Sequence, residues 1–465
     1  MKSYPMIVLL SVEVLVLLLL DTFKPSLLLC RTECDSIDSV RSYAFVLSGV
    51  PRDTKRCWRY ETEQRVLLYI LRDSTRTPPQ EGDTLIARTC IRRGGHIGRF
   101  NYGRYLRRQG IIGTAFVGKN YHIHPSSPSS VKHSLSLQSR MYQRLSAAGL
   151  RGDELATTGA LTLGYKEDLD PALRQRFQAS GAAHVLAVSG LHTGIIYALL
   201  MAIMTLGGRI RPQHENRWGR AVMGAIVVAV MWGYAWLTGL TPSVVRCVVM
   251  ITLVETGRVL YRNSPTLNTI AAAAVLILIV RPLDLWSISF QLSFAATAAI
   301  VIMAEDIEGL FRKWEAILYR KPFWGKAVNW TIGIIIVSIA AQLGTLPITM
   351  YTFGQLSNYF LLTNLIVLPL ATLLVPCGLA TVAMGGTFLG KAAGYAAFGL
   401  AWLMNHAVGW IESLPGSTTA VHISLLMAGL LYAAMAMGWL AIHKTLWWLI
   451  GAAGAVIIFC ILYAL

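Results

Sequence analysis

Apolar residues dominate the second part of the chain, where long apolar stretches alternate with short polar loops. About 20 consecutive apolar residues suffice for a transmembrane helix, so these stretches predict membrane spans. They cover residues 184–206, 221–240, 243–260, 267–280, 285–303, 328–350, 361–384, 392–411, 423–442 and 446–465. Together with an N-terminal apolar segment they predict a polytopic α-helical membrane protein with about 10–11 spans.

The N-terminal apolar segment, residues 6–20, is interrupted by Ser11 and Glu13 and follows Lys2. It is short for a span and resembles the core of a signal peptide, but no small-x-small cleavage site follows it cleanly. We therefore expect residues 1–30 to form an uncleaved membrane anchor.

A different pattern follows the anchor, with short segments rich in Val, Ile, Thr, Phe and Tyr between Pro, Gly and Asp residues. They cover residues 43–48, 65–71, 84–91 and 113–119. Short strands with such spacing are typical of a small all-β domain, and we expect an OB-like β-barrel over residues 31–125. Residues 126–180 combine a Ser/Pro-rich linker with amphipathic helices that would lie at the membrane surface or cap the bundle, and residues 181–465 form the membrane bundle. A soluble helical linker is the alternative for the amphipathic part.

Hydrophobic residues make up 54% of the chain and charged residues 14%, which excludes an ordinary soluble domain. The net charge is +17. The positions of the cations indicate how the chain is oriented in the membrane, because Lys and Arg are enriched in cytoplasmic loops. With the N-terminus inside, the cytoplasmic loops carry Arg209, Arg211, Arg217, Arg220, Arg258, Arg262, Arg312, Lys313, Arg320, Lys321, Lys326, Lys391 and Lys444. The opposite loops 351–360 and 412–422 have neither Lys nor Arg, and Arg281 is the exception. This orientation puts the β domain outside the cytoplasm.

Cations outnumber acids by nearly two to one in the β domain, which favours a polyanionic partner. Aromatic residues lie among the cations, and single-stranded nucleic acid is bound by this combination of charge for phosphates and flat rings for bases. The candidate DNA-binding residues are Trp58, Tyr60, Arg99, Phe100, Tyr102, Arg104, Tyr105, Arg107 and Arg108. The alternative is that the aromatic residues belong to the core and the arginines only solubilise the surface.

Two cysteines of the β domain, Cys57 and Cys90, could form a disulfide outside the cytoplasm, although pairing does not follow from sequence. We expect no metal site, because neither a CxxC pair nor a histidine cluster accompanies them and the pair His122 and His124 lacks further ligands. The sequence from Gly385 to Lys391 fits the spacing of a phosphate-binding loop but lacks the following hydroxyl residue. No cofactor is therefore expected.

Polar side chains inside the predicted bundle are costly in lipid, and they suggest an aqueous path where helices are interrupted. The candidate channel-lining residues are His184, Ser189, Gly190, His192, Arg246, Gln291, Ser293, Gln342, Thr345 and Asn364. Hydrogen bonding between neighbouring helices is the alternative for each of them. A hydrolase centred on Ser189 and His192 would need an orienting carboxylate, and none is near in sequence. We therefore expect a protein that is not an enzyme.

The string HVLAVSGLHTG from His184 resembles the signature of ComEC-type DNA-internalisation competence proteins, which are polytopic bacterial membrane proteins. Similar strings follow in the family's order from Leu237, Asn263 and Ala340, and GRFNYGRYLRRQGI from Gly98 is similar to the aromatic segment of the family's extracytoplasmic OB-like domain. The resemblance implies a channel in the bacterial inner membrane that passes one strand of incoming DNA during natural transformation.

The resemblance also implies partners: single-stranded DNA, membrane lipids, and the DNA-receptor and motor or helicase proteins of the competence machinery. Many relatives add a metallo-β-lactamase-like domain after the bundle, which this sequence does not match, so strand degradation would need a separate nuclease. A homo-oligomer is a further expectation. The rival hypotheses are a membrane enzyme acting on a lipid or envelope polymer through Ser189 and His192, and a transporter of another polyanion.

Overall fold

The computed structural model of the chain describes most of its residues. These are residues 5–23, 40–53, 57–72, 78–80, 82–92, 96–97, 100–103, 106, 110–125, 137–186, 188–206, 217–261, 265–318, 322–445 and 447–464. The chain forms two compact units. The membrane unit comprises Met1–Leu10, Leu137–Ile277 and Ser287–Leu465, and the β unit comprises Ser11–Ser136 and Leu278–Trp286.

Mostly short strands build the β unit. They are β1 (Arg41–Asp53), β2 (Cys57–Thr62), β3 (Val66–Leu71), β4 (Thr84–Thr89), β5 (Ile91–Arg92), β6 (His96–Ile97), β7 (Phe100–Asn101), β8 (Gly113–Val117) and β9 (Tyr121–His124). Among the described strands, seven form one sheet in the order β5-β8-β3-β2-β1-β4-β9, and β6 pairs with β7.

Strand β1 is the longest and pairs antiparallel with both β2 and β4. Its register against β2 shifts between Ser48 and Arg52. The pair β3 and β8 is parallel, whereas β5 pairs antiparallel with β8. Strand β5 begins only one residue after β4 ends, so β4 and β5 are nearly one segment.

The inner face of this sheet is an apolar core, because every second residue of a strand points to the same side. Phe45, Tyr60, Leu68, Ile70 and Leu85 are almost fully buried there. The segments predicted around residues 43–48, 65–71, 84–91 and 113–119 all contain strands, whereas β2, β6, β7 and β9 were not predicted.

Helices form the rest of the described chain, and a short 3-10 helix covers Pro282–Trp286. They are α1 (Pro5–Phe23), α2 (Leu137–Ala147), α3 (Gly152–Leu163), α4 (Pro171–Ser180), α5 (Gly190–Leu206), α6 (Arg217–Leu237), α7 (Pro242–Val259), α8 (Thr266–Val280), α9 (Ile288–Leu318), α10 (Pro322–Phe353), α11 (Phe360–Ala383), α12 (Phe388–Glu412), α13 (Leu425–His443) and α14 (Trp448–Ala464). A two-stranded ribbon of β10 (Gln355–Ser357) and β11 (Thr418–Ala420) joins the loops before α11 and after α12.

Five helices of the described part are long and apolar enough to cross a membrane: α6, α9, α10, α11 and α13. Shorter apolar helices lie within α1, α5, α8 and α14. The protein is therefore a polytopic membrane protein, although fewer helices meet this length and composition than the 10–11 spans expected from sequence.

Helix α3 packs inside the membrane unit, because all residues from Ala156 to Leu163 are buried. Thr157 donates a hydrogen bond to Asn405 Oδ1 of α12 at 2.9 Å, which satisfies its hydroxyl in the core. Helix α11 passes close to α3 at Gly378, where a Cβ atom would lie 2.4 Å from Thr162 Cγ2. Thr and Gly in α3 and α11 thus serve close helix packing.

Candidate functional site

The start of helix α5 is organised by Ser189 and His192. The backbone N–H of Ser189 donates to His192 Nδ1 at 3.0 Å, and Ser189 Oγ also lies 3.0 Å from that nitrogen. Ser189 precedes the first helical residue and His192 is the third residue of the helix, so the pair has the spacing of a capping box. Here histidine occupies the place of the usual Glu or Gln. Its Nδ1 accepts the Ser189 N–H, which has no hydrogen-bond acceptor within the helix itself.

This arrangement determines the state of the fully buried His192 ring. Because Nδ1 accepts a backbone N–H, the ring proton of neutral histidine lies on Nε2. Within the described residues, Nε2 has no hydrogen-bond partner, and hence no carboxylate orients the ring. A base that activates a serine needs a lone pair and an orienting acid; here Nδ1 already accepts the Ser189 N–H, and no acid of the described residues contacts Nε2.

Helix α7 contacts the same turn. Ser243 Oγ donates to the carbonyl of Val188, and Cys247 Sγ lies 3.7 Å from the carbonyl oxygen of Gly190. A Cβ atom at Gly190 would lie 3.8 Å from Cys247 Sγ. The predicted residue Gly190 is therefore at the contact between α5 and α7.

Arg246 joins α7 to the start of α9. It is 2% exposed, and its Nη2 donates to both the carbonyl oxygen and Oγ of Ser289 at 2.8 Å. Since α5, α7 and α9 begin at Gly190, Pro242 and Ile288, these contacts bring three helix N-termini together. We call this arrangement of Ser189, His192, Ser243, Arg246 and Ser289 the N-terminal cluster.

The other predicted channel residues lie apart from the N-terminal cluster or make local contacts. His184 is exposed, and its Nδ1 lies 3.2 Å from the carbonyl oxygen of Gly181. Thr345 Oγ1 donates to the carbonyl of Ala341 in its own helix at 2.9 Å. Asn364 donates to Ser338 Oγ at 3.2 Å, which links α11 to α10. Gln291, Ser293 and Gln342 are half-buried on α9 and α10.

Two of the candidate DNA-binding aromatics are core residues, which corrects the expectation from sequence. Trp58 is 7% exposed and Tyr60 is 1% exposed, and the Tyr60 hydroxyl donates to the carbonyl of Pro79 at 2.7 Å. Both rings point to the inner face of β2, so neither is open to a base. Tyr102 is half-buried and Phe100 lies in β7. The remaining candidates lie outside the described residues: Arg99, Arg104, Tyr105, Arg107 and Arg108.

Cys57 and Cys90 are both free thiols in the structure, so the bridge that the sequence left open is not formed there. Among the described residues, no group of three or more His, Cys, Asp or Glu side chains could hold a metal ion.

Sequence reasoning missed an aromatic pair on the outer face of the β unit. Tyr69 of β3 and Phe116 of β8 stack with ring centroids 4.9 Å apart and an angle of 14° between the rings. Arg59 of β2 lies directly opposite Tyr69 in the strand pairing. The alternation of polar and apolar residues in β2 could have identified the outward face of Arg59, whereas β3 and β8 have no such alternation to mark Tyr69 and Phe116.

Comparison with known proteins places these motifs in a family. Residues 161–449 match the family described as "Competence protein". "ComE operon protein 3" of Bacillus subtilis (strain 168) is 27% identical over 332 residues, which are 71% of this chain and 38% of the relative. "Recombination protein 2" of Haemophilus influenzae is 24% identical over 230 residues, covering 49% of this chain and 28% of the relative.

An uncharacterized protein of Aquifex aeolicus is 30% identical over 144 residues, covering 31% of this chain and 32% of the relative. This chain thus spans about a third of the length of these relatives. No solved structure matches it significantly. Because the family match covers more than half of the sequence and includes the whole N-terminal cluster, the chain belongs to the competence protein family.

Proposed function

We propose that the chain transports single-stranded DNA across the bacterial cytoplasmic membrane during natural transformation. Its membership in the competence protein family and its likeness to "ComE operon protein 3" support this proposal. The observation that carries it is the N-terminal cluster, which joins three helix N-termini around a buried arginine.

Helix N-termini attract anions, because their unpaired N–H groups and the helix dipole give each about half a positive charge. In the N-terminal cluster, three such termini act beside the Arg246 guanidinium and the Ser289 hydroxyl, which accepts from Arg246 and keeps its own proton for donation. Hydroxyl and guanidinium donors suit phosphate oxygens, and a protein interior strengthens their electrostatic attraction relative to water. The cluster therefore supports binding of a phosphate backbone at one end of the bundle.

We propose that this end faces outward, with the β unit also outside the cytoplasm. The cationic loops follow the opposite ends of α5 and α7, near Arg209 and Arg258, and such loops remain in the cytoplasm. A strand arriving from outside would then meet the N-termini of α5, α7 and α9 first.

We propose an OB-like barrel for the β unit. Strand β1 pairs with β2 and β4, β3 runs parallel to β8, and β5 continues β4 after a single residue to pair with β8. One nearly continuous segment thus contacts both β1 and β8, which is the connection that a closed barrel requires. Thr89 Oγ1 of β4 also donates to the carbonyl of Phe116 in β8 at 2.7 Å. This architecture commonly binds single strands.

We propose that Gln291, Ser293, Gln342 and Asn364 line the path beyond the N-terminal cluster, with the shorter apolar helices completing the bundle around it. Amide and hydroxyl groups on α9, α10 and α11 can bind a hydrated strand without reacting with it. The proposal needs no covalent step, and the use of His192 Nδ1 by the backbone supports transport over hydrolysis at Ser189.

The energy for movement would come from a partner motor or helicase, with a receptor protein presenting the DNA and a separate nuclease removing the other strand. Membrane lipids surround the bundle, and a homo-oligomer is compatible with the proposal.

Uptake of labelled duplex DNA tests the proposal in a transformable strain that lacks only this chain. We expect nuclease-protected single-stranded label inside cells with the wild-type gene and more than a tenfold loss without it. Arg246→Gln should lose most uptake, while Arg246→Lys, which keeps the charge, should retain part of it. Undiminished uptake in the deletion strain would refute the proposed function.

A further inference from the structure

The outer face of the β unit carries an aromatic pair, in which Phe116 is exposed and Tyr69 is half-buried. Phe116 is 60% exposed although it lies between the buried residues Ala115 and Val117 of β8. Tyr69 likewise lies between the buried residues Leu68 and Ile70 of β3. Successive side chains of a strand point to opposite faces, so Tyr69 and Phe116 both point away from the core.

The pairing of β3 with β8 puts Tyr69 opposite Phe116, and their rings stack at 4.9 Å. The two rings thus cover part of each other's faces, and the exposed Phe116 ring extends the stack outward. Cross-strand aromatic pairs contribute modestly to the stability of a sheet, and a buried pair would do so equally well. The high exposure of Phe116 is therefore the feature that a purely structural role leaves unexplained.

Cations lie on both sides of the aromatic pair along the strand order β5-β8-β3-β2. Arg59 of β2 lies opposite Tyr69. Arg92 of β5 lies opposite Thr114, which is two residues before Phe116 and therefore on the same face. Arg92 is exposed and Arg59 is half-buried. Across the row of strands β2, β3, β8 and β5, the outer face thus carries Arg59, Tyr69, Phe116 and Arg92 in this order.

We propose that Arg59, Tyr69, Phe116 and Arg92 form a stacking platform for unpaired bases of single-stranded nucleic acid. Bases stack on flat aromatic rings whatever their sequence, while flanking cations hold the phosphates. A duplex hides its base faces, so the platform selects a separated strand. This inference rests on the proposed function and names the surface by which the β unit holds the strand.

Binding of the full chain in lipid nanodiscs to two fluorescent oligomers tests the platform. One is an oligothymidylate, and the other is an abasic strand of the same length, which keeps the phosphates and lacks the bases. Wild type should bind the oligothymidylate at least about fivefold more tightly, because a stacked base adds a clearly measurable preference. The preference should fall toward one in the double variant Tyr69→Ala, Phe116→Ala.

Salt dependence separates stacking from charge. The aromatic double variant should keep the wild-type slope of log affinity against log salt, whereas Arg59→Gln should reduce the slope by about 0.7. Tyr69→Phe and Phe116→Trp keep flat rings and should keep the base preference. Ile86→Ala removes an outward side chain of β4 outside the row and is the matched control, which should behave as wild type.

Photocrosslinking with 5-iododeoxyuridine gives an independent measurement, and it should label the peptides that contain Tyr69 or Phe116. Equal binding of thymidylate and abasic strands by wild type would overturn the platform while leaving charge-driven DNA binding intact. If neither strand binds, the proposed handling of DNA by this chain fails as well. If the double variant Tyr69→Ala, Phe116→Ala loses only its affinity for anionic lipid vesicles and keeps the base preference, the platform is overturned as well.

Discussion

The capping role of His192 predicts that glutamine can replace it and alanine cannot. In His192→Gln, the side-chain carbonyl can still accept the Ser189 N–H, as Gln does at this position of ordinary capping boxes. In His192→Ala, that bond is lost at a cost of about 1 kcal/mol. Removing the ring of a fully buried side chain leaves a cavity as well, which we expect to add about 1–2 kcal/mol.

The expected total loss for His192→Ala is therefore about 2–3 kcal/mol of unfolding free energy, against about 1 kcal/mol or less for His192→Gln. Thermal unfolding in nanodiscs measures the stability of each variant, and uptake of labelled DNA measures its function. We expect both properties to decline together, with the glutamine variant close to wild type. Ser189→Thr, which keeps both the backbone N–H and the hydroxyl beside His192 Nδ1, should match the glutamine variant.

The reasoning is refuted if His192→Gln unfolds like wild type but loses uptake as completely as His192→Ala. That result would assign the imidazole a chemical role beyond its hydrogen bond. Covalent labelling of Ser189 by a serine-directed probe in wild type, but not in His192→Gln, would have the same meaning.

Further predictions concern close contacts in the two units. Gly113→Ala should destabilise the β unit by about 1–3 kcal/mol, since the added Cβ would lie 2.8 Å from the Arg92 carbonyl oxygen. Limited proteolysis measures this loss. Gly118→Ala is the control, because nothing lies within 4 Å of a Cβ atom there. Gly378→Ala should lower the unfolding temperature by separating α3 from α11. Thr157→Val should cost about 1–3 kcal/mol by leaving the Asn405 amide oxygen without its donor, and resistance to thermal unfolding equal to wild type would contradict this.

Local patterns predicted the parts of the fold that depend on neighbouring residues alone. The apolar stretches correspond to helices because a span needs only length and apolar composition. The strands around residues 43–48 and 113–119 were recognisable by β-branched and aromatic residues between turns. The contact between Ser189 and His192 is also local, since it joins residues three positions apart, as in a capping box.

The predicted DNA-binding residues differ from the structure where the face of a strand decides whether a side chain is buried. Trp58 and Tyr60 were predicted to bind bases because they lie among cations, yet alternation in β2 points both toward the core, while Arg59 between them points outward. Pairing with β3 and β8 then decides that Arg59, Tyr69 and Phe116 become neighbours. A composition count cannot distinguish the two faces of one strand.

The sequence by itself thus determined the membrane class, the family motif and the cationic character of the β unit, because these depend on composition and short spacing. Only the tertiary structure decided that the starts of α5, α7 and α9 meet at Arg246 and that Tyr69 stacks on Phe116. Such contacts join residues more than 40 positions apart in the chain. Packing of the core, rather than any local preference, brings them together.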